Sequence, residues 1–326
     1  CGFLVLDHGV RSGGQSTGGE GKRIGGRGRV IVAFRGTYSI TNTIIDLSTV
    51  PQEYVPYPGS GNTSRSDDAP EITECTNCTV HTGFWTSWQN TRPFVLPHLK
   101  TIREKYPDYK VELVGHSLGG AVAALAGLEF EALGWEPVVT TFGEPRVGNE
   151  ALRDYIDEVF ELNGERELLH GRYRRVTHVD DPVPLLPLQE WGYRAHAGEI
   201  YISKPELQPG LHDIRLCFGD EDSDCIAGAD ADGSGSWFQA AAAETGMEMD
   251  MDTDINHEEL VMLQKRWGIP IPIPARYKMW QLFFAHRDYF WRLGLCMPGG
   301  DPFDWGRDKY DFGDGDDDGD QVQIEL

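Results

Sequence analysis

Positive charge is scarce in this chain, and the scarcity is local. Its 29 Lys and Arg face 52 Asp and Glu, a formal net charge of −23 over 326 residues. Residues 219–259 hold 13 of the acidic side chains and residues 310–326 hold 7, with no Lys or Arg in either stretch. Both read as solvated loop and tail, and the body that remains is close to neutral. A near-neutral body has no basic face for nucleic acid, which excludes that class of partner as an expectation. Long apolar runs are absent too: none approaches the ~20 residues of a membrane span. Cysteine is sparse, with six residues. Cys75-Thr76-Asn77-Cys78 has CxxC spacing, but zinc needs a second pair, and redox chemistry needs the pair to open a helix after a strand. A structural disulfide is the expectation, and Cys217 with Cys225, bracketing an acidic loop, reads as a second local bridge. Cys1 and Cys296 are left to pair with each other or with a segment ahead of the chain. Neither a metal nor a cofactor is expected. The tail from Asp314 to Glu325 satisfies a calcium-loop pattern, yet no helix precedes it and the chain ends one residue later.

What is present is a globular composition, 40% hydrophobic and 11% aromatic, and six cysteines suit an oxidising, extracellular compartment. Of two sequons, Asn62-Thr63-Ser64 lies in a polar Gly/Ser stretch and is the better glycosylation candidate. Asn77 is pinched between cysteines. The chain opens inside a strand pattern at residues 2–6, so the expectation is a longer precursor with a segment ahead of Cys1. Strands are expected at 29–34, 109–114, 137–142 and 173–179, with shorter ones at 199–202 and 214–217. Helices are expected at 84–106, 120–129, 149–160 and 275–293. The alternation predicts an α/β layered fold with a mainly parallel sheet. We read residues 1–298 as one domain with flexible insertions at 11–28 and 219–256, and residues 299–326 as an acidic disordered tail.

Gly115-His116-Ser117-Leu118-Gly119 joins the strand at 109–114 to an Ala-rich helix. A strand meeting a helix through G-x-S-x-G is a nucleophile elbow: the glycines allow close approach, and the serine sits beside free N–H groups at a helix N-terminus. The serine needs a base to take its proton and an acid to orient that base, in the chain order Ser, Asp or Glu, His. Asp180 and Asp181 follow the strand ending at Val179, and either residue meets the requirement. Among the later histidines, His212 and His257 lie in polar surroundings. His286 sits among Trp280, Phe283, Phe284, Tyr289, Phe290 and Trp291, a setting able to hold an imidazole neutral and fixed. His116 is read as structural, pointing elsewhere on the turn. The oxyanion donors expected are the N–H of Leu118 and Thr37, in the loop after the strand at 29–34.

With those residues placed, the chain resembles the secreted fungal class 3 lipases, the family of triacylglycerol lipases and feruloyl esterases. The motifs are FRGTYSI at 34–40, the Cys75/Cys78 pair followed by HTGF at 81–84, GHSLGG at 115–120, FGEPRVGN at 142–149, THVDDPVPLLP at 177–187, and His286 ten residues before Cys296. The resemblance implies an α/β-hydrolase fold with a short helical lid and Ser117, Asp181 and His286 as triad, choosing Asp181 over Asp180. It also implies Thr37 and Leu118 as oxyanion hole, and an N-terminal segment that this chain lacks. The segment after Thr37 would be the lid, with Ile40, Ile44, Ile45 and Leu47 forming an apolar face that turns toward a lipid–water interface. Thr43 stands where such lipases commonly carry tryptophan. The function so implied is a secreted ester hydrolase, a triacylglycerol lipase first. The alternatives are a feruloyl esterase, toward which CFGDEDSDC at 217–225 points, and a catalytically silent lipid-binding relative.

Overall fold

Residues 111–116 alternate between core and half-buried positions, with Val111 and Leu113 wholly inside, which is how a strand in the middle of a covered sheet behaves. The structure is a computed structural model. It describes residues 2–9, 28–36, 51–56, 75–162, 171–179, 181–220, 222–226, 285–293 and 323–325. In chain order the elements are β1 (Gly2–Asp7), β2 (Arg29–Phe34), β3 (Pro51–Glu53), β4 (Thr79–His81) and α1 (Thr82–Lys105). Next come β5 (Lys110–His116), α2 (Leu118–Ala132), β6 (Val138–Phe142), β7 (Gly148–Asn149) and α3 (Glu150–Val159). The last are β8 (Tyr173–His178), β9 (Tyr193–Arg194), β10 (Glu199–Ile202), β11 (Ile214–Leu216) and β12 (Gln323–Glu325).

Among the described residues the main sheet has the order β11-β10-β8-β6-β5-β2-β1-β12. The five strands from β10 to β2 run parallel, while β11, β1 and β12 pair antiparallel at the edges. This is the α/β-hydrolase architecture expected from the resemblance: a mainly parallel sheet with helices packed on it. The second sheet, β3-β4-β7-β9, is small and antiparallel. Parallel neighbours place the carboxyl ends of β5, β6, β8 and β10 along one edge, where open α/β sheets put their sites.

Helix α2 explains the closeness of the packing. Residues 119–130 are all buried, and Ala121, Ala123, Ala124 and Ala126 are fully so. A helix apolar on every face must be enclosed, and its small side chains let β2, β5 and β6 come near. Each full burial of a chain the size of Leu125 or Phe130 is worth roughly 1.5–3 kcal/mol. One polar group is enclosed with them. The Glu129 carboxylate accepts from the Trp88 indole at 3.0 Å and from Arg92 Nε at 2.7 Å, tying α2 to α1. Helix α1 runs on through Pro93 and Pro97. His81 caps its start by accepting from the Gly83 N–H, and Arg103 and Lys105 in its last turn complement the helix dipole. Asn149 caps α3, accepting from Leu152 N at 3.1 Å.

Two expectations are corrected here. Of the helix read over 275–293, residues 275–284 lie outside the described residues, and beyond Ala285 the chain turns instead of continuing as helix. The turn is closed by Arg292 on Asp288 through two bonds of 2.6 Å and by Leu293 N donating to Arg287 O at 2.8 Å. The tail read as disordered over 299–326 contains β12, which pairs antiparallel with β1. The insertion at 11–28, apart from Gly28, lies outside the described residues, as does most of that at 219–256.

The tight approach of α2 to β2 yields a stability test. A methyl group on Gly119 would lie 2.2 Å from the Phe34 carbonyl oxygen, a backbone atom with no room to move. Gly119→Ala is expected to cost about 3 kcal/mol by overpacking. The measurement is urea unfolding, with a lower midpoint at unchanged slope. A midpoint equal to the parent's would show that the two backbones do not pass this closely.

Candidate active site

The elbow is built by backbone before any side chain matters. A Cβ on Gly115 would lie 2.1 Å from the Gly119 carbonyl, so the strand can reverse into α2 only with glycine at both positions. Ser117, between them, takes φ 57° and ψ −130°, a conformation that costs a non-glycine residue about 1–3 kcal/mol. Surrounding bonds hold it there. The Ser117 N–H donates to Phe142 O at 2.9 Å, and Ser117 O accepts from Gly120 N at 2.8 Å. Leu118 opens the helix, so its N–H is among the first-turn donors that a helix cannot satisfy internally.

The partners converge from two other segments, the loop after β8 and residues 285–293. Asp181, three residues beyond β8, and His286 are each 1% exposed. His286 Nδ1 donates to Asp181, at 2.8 Å from Oδ2 and 3.0 Å from Oδ1. The Val183 N–H donates to Oδ1 at 2.9 Å, and the Tyr289 hydroxyl donates to Oδ2. Burial would raise the Asp181 pKa. The opposing charge and hydrogen bond of His286, with the Tyr289 and Val183 donors, outweigh burial and leave the carboxyl below its usual range. The other ring nitrogen, His286 Nε2, is buried and has no hydrogen-bond partner among the described residues.

Glycine also sets the fit around the pair. Gly143, just past β6, has φ +57°, and a Cβ there would lie 2.6 Å from Tyr289 Oη, 2.8 Å from Asp181 Oδ2 and 2.9 Å from His286 Cε1. Its chain neighbour Phe142 accepts from Ser117, so the elbow and the Asp–His pair pack against the same two residues. On the other flank, a Cβ on Gly36 would lie 3.6 Å from Ser117 Oγ. Behind Asp181, buried Arg146 donates to Leu185 O at 2.6 Å and to Pro187 O at 3.1 Å, fastening the loop that follows the carboxylate.

Two of the later histidines, His196 and His212, are engaged elsewhere. His196 engages Glu144 through Nε2 at 2.9 Å and Ala197 O through Nδ1 at 2.8 Å, deep in a nest that also holds the Tyr173 hydroxyl. His212 is exposed and meets Asp213 at 3.3 Å. His116 does not point away: its Nε2 is 2.6 Å from the carbonyl of His286. Tyr289 and Gly143 carry site contacts that reading by residue type does not assign. The only sequence signal for Tyr289 is its place three residues after His286. Both expected bridges are formed, Cys75 to Cys78 and Cys217 to Cys225. Thr37, Ile40, Ile44, Ile45, Leu47, Asn62, Asp180, His257, Cys1 and Cys296 lie outside the described residues. No helix among the described residues is long and apolar enough to cross a membrane.

Known proteins share this architecture and sequence. The lipase (class 3) family model matches residues 31–191. Secreted mono- and diacylglycerol lipase 2 of Gibberella zeae is 54% identical over 313 residues, 95% of this chain and 72% of that protein. Lipase A of Sodiomyces alcalophilus is 52% identical over 312 residues, 94% of this chain and 72% of its own length. Among solved structures, Lip2 lipase from Yarrowia lipolytica matches with a TM-score of 0.52 at 31% identity, covering 61% of this chain and 67% of that one. Identity above one half across nearly the whole sequence leaves one conclusion: the chain belongs to the class 3 lipase family, as a secreted ester hydrolase of the lipase type.

Proposed function

We propose that the protein hydrolyses acylglycerol esters through an acyl-enzyme on Ser117, with His286 as general base and acid and Asp181 as its orienting carboxylate. The observation that carries this reading is the buried His286 imidazole, held at Nδ1 by Asp181 with Nε2 unengaged, packed on the residues that hold the Ser117 turn. Ser117 Oγ attacks the ester carbonyl as its proton passes to Nε2. The tetrahedral oxyanion is held by the Leu118 N–H and by Thr37. His286 then returns the proton to the departing glyceride alcohol, and water, deprotonated by the same nitrogen, releases the fatty acid. Asp181 stays ionised throughout and balances the imidazolium formed at each step.

The substrate class follows from the relatives together with the surface. A relative more than half identical is named for mono- and diacylglycerols, which supports partial acylglycerols as substrates ahead of the triacylglycerols expected from the resemblance. Leu211 is 91% exposed in the loop between β10 and β11, on the sheet edge where β8 delivers Asp181. Trp291, five residues beyond His286, is 52% exposed. Exposed apolar side chains on the same sheet edge and close in sequence to His286, on a body whose charge outside the two acidic stretches is near neutral, suit a lipid–water interface. The segment with Ile40, Ile44, Ile45 and Leu47 is proposed as the lid.

Three measurements check this reading. Ser117→Ala and His286→Ala are each expected to lower kcat on a soluble ester by at least ~1,000-fold, because nucleophile and base act as a unit. A folded Ser117→Ala variant with parental turnover would remove the nucleophile. At equal acyl chain, kcat/KM on emulsified monoacylglycerol and diacylglycerol is expected to exceed that on triacylglycerol by about tenfold, a discrimination within reach of a pocket. Methyl ferulate should be slower than all three, and a faster rate on it would move the protein to the feruloyl esterases. The third measurement is linkage. An unfolded Asp titrates near ~3.9 and folded Asp181 lies lower, so in that window the unfolded chain binds more protons and stability falls as pH falls. The stability difference between the parent and Asp181→Asn should be flat above about pH 5 and shrink in the parent's disfavour below about pH 4. Urea unfolding at stepped pH reads it, and a difference that moves the parent's way in acid would give Asp181 the wrong sign.

A further inference from the structure

His116 is the last residue of β5 and the chain neighbour of Ser117, yet its ring reaches across to the segment that carries His286. We propose that His116 is a positioning residue that sets where the His286 imidazole stands relative to the nucleophile, an inference that rests on the Ser117–His286 reading above. A backbone carbonyl can only accept, so the 2.6 Å contact with His286 O requires a proton on His116 Nε2. The bond grips the main chain of residue 286 itself. Asp181 holds the other end of the same residue, at Nδ1 of its ring. With both ends held, neither backbone shift nor ring rotation can carry Nε2 away from the elbow. Because the gripping residue adjoins Ser117, base and nucleophile are referenced to one stretch of main chain.

The ring is also suited to its neighbour. The His116 and His286 ring centroids are 4.4 Å apart, tilted by 38°, and Tyr289 presents an edge to His116 at 6.1 Å. Loss of water around the ring, then the electrostatic influence of the adjacent His286 imidazole, push the His116 pKa down to about 3. The ring is therefore neutral in any working solution and does not repel the imidazolium that forms beside it during turnover.

Two substitutions separate this role from simple packing. His116→Phe keeps a ring and loses the donor, whereas His116→Gln keeps an N–H at comparable reach. The readouts are kcat and KM on a soluble short-chain ester, per active site titrated with a serine-directed phosphonate, beside the thermal midpoint of each variant. The Phe variant is expected to lose about 30- to 100-fold in kcat with KM within about twofold, the effect of a displacement near 1 Å. The Gln variant should recover kcat to within about fivefold of the parent. Parental kcat in the Phe variant, or equal losses in both variants, would overturn the proposal. If the Phe variant does not fold, the Gln variant decides: near-parental kcat supports the donor role and a large loss refutes it. His286→Ala, run alongside, keeps the two readings apart. An inactive His286→Ala with a fully active His116→Phe sinks the role of His116 alone, while an active His286→Ala sinks the triad beneath it.

Discussion

The carbonyl of Phe34 leaves no space for a side-chain carbon on Gly119, and the carbonyl of Gly119 leaves none on Gly115. That double contact lets β5 reverse directly into α2, and it leaves Ser117 at positive φ with no freedom to relax. Strain of this kind persists only where the surroundings over-determine it. Here the surroundings are the bonds from Ser117 to Phe142 and to Gly120, together with a helix buried on every face. The Ala-rich sequence of α2 is thus a condition for the site: larger side chains would hold the helix away from β2 and open the turn.

A second constraint follows from placing a carboxylate where water is excluded. Buried Asp181 must find donors, and it finds three of them in two parts of the chain: the His286 ring and the Tyr289 hydroxyl in one, and the Val183 N–H in its own loop. Each lowers the cost of keeping the charge, and each is itself aimed by that need. The Arg146 guanidinium extends the arrangement outward by holding the carbonyls of Leu185 and Pro187, so the loop after β8 has one place to lie. Polar groups deeper in the protein, such as Glu144 with Tyr173 and His196, obey the same rule of mutual satisfaction without facing the serine.

Elements with strong periodicity are legible in the chain itself. The strands at 29–34 and 138–142, the helices around 84–105 and 150–159, and the strand–elbow–helix unit at 110–132 all follow from the spacing of apolar residues and the position of caps and glycines. The segment around His286 is legible only in part. Its aromatic richness marks it as enclosed, but periodicity suggests helix through Leu293, whereas Arg292 on Asp288 closes a turn. The backbone there makes an antiparallel bridge between Asp288 and Arg292, while the same segment reaches the distant Asp181 carboxylate through His286 and Tyr289. The direction of His116 is hidden for a related reason: where a side chain points on a strained turn is not readable from its neighbours in the chain.

The amino-acid order alone settles what is local: which stretch is strand or helix, that a serine occupies a turn only glycines permit, and that an aspartate and a histidine follow it in workable order. Those are properties of nearest neighbours and of the two side-chain periods. It takes the assembled fold to make Tyr289 and Val183 share Asp181, to stand Gly143 against the pair, and to let His116 hold the backbone of a residue 170 positions away. Such contacts depend on how strands far apart in the chain line up along one sheet edge, and no window of sequence contains that register.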